Sequence, residues 1–297
     1  MVNIIDVTSI IGIYLARMFL AKGEKVRGVS SAKAGMADLT KKGFDGMYGD
    51  IADPGFLSAS MNGVDTVFYM VPLPTEQNVC KNVFFETAQS LTKAVRDSKV
   101  QTLFFISILG ADEKNKSGLL NCYGEVERIL SSLHLENVIF VRPGYFMDHL
   151  LTKMPMVRME HIIGDVIDPN TQLYLTDRKE TAHTISSLYL KKQYYGRSKV
   201  ELYNDKLSFQ EATDIISKKI GVPDLRYVQY SDDQYRNYLV TKGVTSDFAD
   251  LYIETAHAIG RGAMTPSHND LATPNQSLRF IDWVENTFAP AYRSGNE

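Results

Sequence analysis

Ile4-Ile5-Asp6-Val7-Thr8-Ser9-Ile10-Ile11-Gly12, followed by the amphipathic run Tyr14 to Leu20, is laid out as a strand, a phosphate-binding turn and a helix. A dinucleotide-binding turn needs its first glycine for a tight bend, its second so that backbone can approach the pyrophosphate, and its third for close helix-strand packing. Only the third is present, as Gly12; Asp6 stands at the first position and Ser9 at the second. A carboxylate there opposes a bound pyrophosphate by about 1–4 kcal/mol at contact distance, depending on the effective dielectric. The turn still offers backbone N–H groups at a helix N-terminus, which attract anions, although a plain strand-helix turn explains the pattern as well.

Short β-rich runs recur beyond this unit with helical patterns between them: Val2–Ile5, Lys25–Val29, Gly46–Tyr48, Thr66–Val71, Thr102–Ile106 and Val138–Val141. Such alternation predicts an α/β fold, a doubly wound parallel Rossmann-type sheet covered by helices on both faces. Gly23 is placed to stop the first helix and Pro54 to open a short one after Asp50. The spacing predicts helices over Asn78–Ser98 and Gly124–Leu133.

After about Leu150 the rhythm changes. Leu173–Leu175 and Val200–Tyr203 read as isolated strands around a helix near Glu180–Leu190, and Ser208-Phe209-Gln210-Glu211 is a capping box ended by Gly221 and Pro223. Further helices are expected after Ser231-Asp232 and over Phe280–Phe288. The chain is thus expected to divide into a dinucleotide-binding-like region, 1–150, and a smaller helix-rich C-terminal lobe, 151–297, that carries the ligand and lends strands to the main sheet.

With 297 residues, 44% of them hydrophobic, the chain can bury a full core. A net charge of −3 with scattered Lys and Arg gives no footprint for nucleic acid or an anionic membrane. Asp6 and Arg17 interrupt the first apolar run, so neither a signal peptide nor a membrane span is expected, and the cytosol is the expected compartment. Cys80 and Cys122 read as buried, inert thiols of a reducing compartment. The histidines show no metal-ligand spacing; His149 and His183 are candidate pocket walls, and Tyr194-Tyr195 a surface or interface pair.

Several stretches then match one family in order. Lys25–Val29 resembles its second strand, Gly49-Asp50-Ile51 with Asp53-Pro54 its "GD" turn, and Gly63–Phe68 its "GVD-V-F" strand. Phe105–Ala111 resembles its serine turn, Val141–Asp148 its "RPG-F-M" segment, and Pro274–Phe288 its closing helix. The chain is thereby identified as a member of the NmrA-like proteins of the atypical short-chain dehydrogenase/reductase superfamily. The resemblance implies a site at the carboxyl edge of the sheet for NADP(H), weak or absent here, and a small-molecule ligand. Some members reduce quinones, imines or other small substrates with NADPH; others bind dinucleotides and report redox state to a protein partner. The resemblance assigns cofactor contact to Thr8, Ser9, Ile10, Ile11, Gly12, Ser31, Lys33, Asp50, Ile51, Val71, Pro72, Ser107, Tyr123, Pro143, Tyr145 and Phe146. With no acid in Ser30-Ser31-Ala32-Lys33, NADP(H) is favoured over NAD. Asp50 can instead cap the Pro54 helix, and Val71, Tyr145 and Phe146 can be packing residues.

The superfamily's usual chemistry uses a tyrosine proton donor and a lysine four residues later. Aligning Glu127 with the family glutamate puts Tyr123 at the lysine position and Leu119 at the tyrosine position. Shifting by four makes Tyr123 the donor, but Glu127 then replaces the lysine and would raise the phenol pKa. Tyr123 and Ser107 remain the candidate catalytic residues, Ser107 doubling as a strand-end hydroxyl. The expected function is a ligand- or redox-responsive binding or regulatory protein, with an NADPH-dependent reductase of quinones or imines, or a non-redox isomerase or cyclase, as the alternative.

Overall fold

The first strand, β1 (Val2–Ile5), is fully buried, as a chain of four consecutive apolar or amide residues must be at the centre of a parallel sheet. The computed structural model describes residues 1–32, 39, 44–76, 78–114, 117–267 and 278–295. After β1 come α1 (Ile10–Ala21), β2 (Val26–Ser30), β3 (Asp45–Tyr48), α2 (Pro54–Ser60), β4 (Thr66–Tyr69), α3 (Cys80–Arg96), β5 (Thr102–Ile106), α4 (Leu119–Ser131) and β6 (Asn137–Pro143). Then follow β7 (Tyr145–Phe146), a 3-10 segment Met147–Lys153, α5 (Met154–Glu160), β8 (Ile162–Asp165), β9 (Gln172–Thr176), α6 (Arg178–Leu190), β10 (Arg197–Leu202) and β11 (Asp205–Ser208). The chain continues through α7 (Phe209–Ile220), β12 (Arg226–Gln229), α8 (Asp232–Thr241), α9 (Ser246–Gly260) and α10 (Phe280–Trp283), which runs on through a π-helical turn, Val284–Phe288, into α11 (Ala289–Ser294).

Seven strands form one parallel sheet in the order β10-β6-β5-β4-β1-β2-β3. The expected doubly wound architecture is therefore present. Its two faces carry separate apolar clusters: Leu15, Phe19, Ile185 and Leu188 of α1 and α6 on one, and Leu57, Phe84, Leu91 and Val126 of α2, α3 and α4 on the other. Outside the main sheet, two smaller ones form, β11-β9-β7 and β12-β8. With α7 to α10 they enclose a third core around Phe209, Ile216, Phe280 and Trp283.

Local expectations meet the structure unevenly. The strand expected over Thr66–Val71 ends at Tyr69, releasing Met70 and Val71 to line a groove. The helix expected over Gly124–Leu133 begins at Leu119, because partners distant in sequence cap it: Gly118 N–H donates to Glu254 Oε2 at 3.0 Å and Leu119 N–H to Thr255 Oγ1 at 2.8 Å. Asp50 does not cap α2. That cap is Asp53, whose Oδ1 accepts from Gly55 N–H at 2.8 Å, while Asp50 Oδ1 accepts from Ala52 N–H in its own turn at 2.8 Å. The capping boxes at Ser208 and Ser231 form as read. Leu173 and Leu175 join the β11-β9-β7 sheet, whereas β10 extends the main sheet beside β6. Tyr194 is half-buried, its ring packed edge-on against Phe104 at 5.1 Å, while Tyr195 is exposed. Both cysteines are buried, and neither forms a disulfide. Lys33 and residues 274–277 of the closing stretch lie outside the described residues.

Candidate functional site

Strand order reverses around β1, which has β2 on one side and β4 on the other, and the crevice outside their carboxyl ends is where such sheets receive ligands. A groove of about 290 Å³ lies there, lined by Asp6, Ser9, Ile10 and Ile11 after β1, Met70, Val71 and Leu73 after β4, and Ile106 and Ser107 at the end of β5, with Tyr123, Phe146 and Arg178 closing it. The turn after β1, the end of β4, Ser107 and Phe146 are thus brought together. Among the described residues, the other assigned contacts are not on its wall. Thr8 Oγ1 is hydrogen-bonded to Ser30 Oγ at 2.7 Å, Ser31 is exposed, Ile51 is in the core, Asp50 holds its own turn, and Pro143 is buried at the end of β6. Pro72 lines neither this groove nor the neighbouring cavity.

The turn keeps the shape of a nucleotide-binding loop while changing its chemistry. Gly12 is required, since a Cβ there would lie 2.6 Å from Asp6 O and 2.8 Å from Val7 O. Asp6 has φ +63, the left-handed conformation a glycine adopts freely and aspartate tolerates at some cost. Burial lifts its carboxyl to about 6, against the opposing effect of a Thr8 hydrogen bond. Ser9 is the N-cap of α1: its Oγ accepts from Gly12 N–H at 3.1 Å and donates to Asp6 O at 2.8 Å. The helix N-terminus that would meet a pyrophosphate is therefore capped from within and flanked by a carboxylate. These residues fit NADP(H) poorly at neutral pH.

Asp6 also makes a stability prediction. Its folded pKa exceeds the unfolded value, so the folded state holds the proton more tightly and stability is lost as pH rises from about 4 through about 6. Asp6→Asn removes that loss. The variant should gain roughly 1–3 kcal/mol over the parent at pH 8, and the gain should vanish near pH 4, in urea unfolding at the two pH values. Equal gains at both would show that the buried charge is not its source.

Ser107 lies on the wall but its hydroxyl is committed: Oγ donates to Glu127 Oε1 at 2.6 Å. Glu127 in turn grips Arg142, Oε1 accepting from Nε at 2.9 Å and Oε2 from Nη2 at 2.6 Å. Arg142 Nη1 also pairs with Asp112 at 2.6 Å and approaches Glu201 at 3.5 Å. The expectation that Glu127 raises the Tyr123 pKa is corrected by this geometry. The phenol is held well above its usual range by burial first and by Cys122 and Asp6 after it, while Arg178 works the other way. Tyr123 packs edge-on against Phe84 at 5.2 Å, and among the described residues no lysine is part of its setting.

Arg178 was not singled out in the sequence. It is the first residue of α6, placed by the Asp177 cap that accepts from Glu180 N–H at 2.9 Å. A cation there opposes the helix dipole. Asp148 compensates at 3.2 Å, and the guanidinium stacks over Phe146 at 4.6 Å. Arg178 stands between the groove and a second cavity of about 310 Å³ that shares Leu73, Ser107, Tyr123 and Phe146 with it. This cavity is walled by Leu119, Phe248, Ile259 and other apolar side chains, with Tyr145, His149 and Lys153 among its polar ones. Gly144 lets the chain turn into it, since a Cβ there would sit 2.1 Å from Tyr174 O. His183, the other candidate wall, is exposed on α6.

Behind the cavity is a polar cluster that no local pattern announces. Asp165, wholly buried, accepts from Lys153 Nζ at 2.9 Å, Tyr252 OH at 2.8 Å and Tyr235 OH at 3.2 Å; Lys153 also reaches the Tyr235 hydroxyl. Among the described residues no cluster of His, Cys, Asp and Glu could hold a metal ion, and no helix is long and apolar enough to cross a membrane.

Known proteins place this architecture. The chain is 22% identical over 256 residues to an NAD(P)H azoreductase of Xenophilus azovorans, covering 86% of this chain and 85% of that one. Its structure is similar to Citrobacter sp. triphenylmethane reductase, with 17% identity, 97% and 99% of the two chains covered and a TM-score of 0.80. It is also similar to NmrA, a negative transcriptional regulator solved in complex with NADP, at 13% identity, 100% and 97% coverage and a TM-score of 0.74. The sequence profile of the NmrA-like family matches residues 1–273, spanning the turn after β1, the groove, the cavity and most of the C-terminal helices, and the chain belongs to that family.

Proposed function

We propose that this protein is a ligand-responsive binding protein that takes a small apolar molecule into the cavity at the carboxyl edge of the sheet, with NADP(H) bound weakly or not at all. A protein partner would read the occupied state. The observation that carries this reading is the turn after β1, where Ser9 caps α1 and the Asp6 carboxyl, raised to about 6 by burial, is anionic at neutral pH. The setting of Tyr123 supports it: among the described residues no lysine stands beside it as in the superfamily's proton-donor pair, and the cation that acts on its phenol, Arg178, is paired with Asp148.

A second reading is favoured by one observation: the groove and the cavity share Leu73, Ser107, Tyr123, Phe146 and Arg178, so a dinucleotide in one would face a small molecule in the other. On that reading the protein is an NADPH-dependent reductase of planar acceptors such as quinones or imines, in keeping with the reductases it resembles. The two readings separate by following NADPH absorbance with ketones, aldehydes and quinones. Binding without turnover of any substrate supports the first; turnover of quinones alone supports the second. Ketone reduction should be absent, because general acid catalysis typically contributes about 10²–10⁴ in rate. Brisk ketone turnover would overturn both readings.

A further inference from the structure

Two cations on the cavity wall stand in different states. Lys153 is buried and committed, its Nζ donating to Asp165 Oδ2 at 2.9 Å and reaching the Tyr235 hydroxyl. Arg178 keeps 21% of its side chain exposed and lines both the groove and the cavity; among the described residues its one polar partner is Asp148, whose Oδ2 lies 3.2 Å from Nη1. A guanidinium carries five N–H donors in a fixed plane, and one carboxylate occupies at most two of them, so donors remain open at the junction of the two spaces. Phe146 packs against that plane, its ring centroid 4.6 Å from the guanidinium carbon, and itself lines both spaces. Helix stability does not account for the residue, because a cation in the first turn of α6 opposes the helix dipole. Ser107, on the same shared wall, has already given its proton to Glu127.

Resting on the reading of the cavity as a ligand site, we infer that Arg178 is its specificity-determining residue, donating to the carbonyl oxygen of an uncharged, planar, apolar molecule whose body lies against Leu119, Phe248 and Ile259. The ligand is uncharged because charge on these walls is already balanced: Asp148 offsets Arg178, Asp165 offsets Lys153, and Asp6 on the groove side opposes a further anion. A carboxylate would shed its hydration for a cation that it must share with Asp148. A carbonyl oxygen gives up less water and still accepts a charge-assisted N–H. The body is planar because the rings of Tyr123 and Phe146 line the cavity where it meets the groove, and flat faces pack best on flat faces.

The test uses three compounds on one skeleton, 2-ethylnaphthalene, 2-acetonaphthone and 2-naphthoate, titrated into the intact protein at pH 7.5 with fluorescence detection. The ketone should bind about tenfold tighter than the hydrocarbon or better, as a hydrogen bond from a charged donor predicts, and the carboxylate more weakly than the ketone. Arg178→Met, which keeps an unbranched apolar stem, should bring the ketone to within about twofold of the hydrocarbon and leave the hydrocarbon itself unchanged; Arg178→Lys should fall between. Asp148→Asn leaves the guanidinium in place without its counter-charge and should tighten naphthoate by about tenfold. Ketone and hydrocarbon binding alike in the parent, an undiminished ketone preference in Arg178→Met, naphthoate binding tightest in the parent, or naphthoate unmoved by Asp148→Asn overturns the assignment to Arg178 while leaving the cavity a ligand site. Failure of all three compounds to bind overturns the cavity reading itself, and the assignment with it.

Discussion

Replacing Arg142 by alanine should cost about 3–5 kcal/mol of folding stability, because Glu127 would keep its burial and lose the cation that it grips. That is a large share of the roughly 5–15 kcal/mol by which folded domains are stable. Arg142→Lys should fall between, keeping the charge but losing the two-pronged grip on Glu127. The effect should extend to the site, since Ser107 on the groove wall is held by the same Glu127. Urea unfolding checks it; a loss under about 1 kcal/mol for Arg142→Ala would mean that water already reaches the network.

Restoring glycine at both altered positions of the turn should tighten NADPH binding by roughly 5-fold to 800-fold at pH 7.5, the range that removal of about 1–4 kcal/mol of opposition spans. Asp6→Gly also relieves a left-handed aspartate, and Ser9→Gly gives up the α1 cap for only a few tenths of a kcal/mol, so the double variant should be at least as stable as the parent. The Asp6 contribution carries a sign in pH. As pH falls through about 6 the carboxyl takes up its proton and the opposition weakens, so the affinity gap between parent and Asp6→Asn should close from pH 8 to pH 5. Comparison with the variant cancels the titration of the cofactor's own phosphates. Titration calorimetry measures both, and an unchanged affinity in the double variant would show that the turn is not what limits binding.

The main sheet was legible because each strand is a short apolar run between helix signals, and Val2–Ile5 and Thr102–Ile106 fall where they were read. Gly12 was legible for a steric reason that the structure supplies, the close approach of Asp6 O and Val7 O. Helix starts set by distant partners were not, as the capping of α4 by Glu254 and Thr255 illustrates. The two-residue β7 and the β8-β12 pair were too short to leave a period. Nor could the polar half of the cavity be read: Lys153, Asp165, Tyr235 and Tyr252 are scattered over a hundred residues and meet only through packing of the C-terminal helices and sheets. Arg178 reads locally as an ordinary helix-start residue, and its place at the junction depends on Asp148 and Phe146.

The turn after β1 governs how the whole site is read, and a calorimetric titration of NADPH into the unmodified protein at pH 7.5 tests it most directly. An anionic Asp6 beside a self-capped helix should hold the dissociation constant at roughly 10 µM or weaker. Submicromolar binding would contradict it.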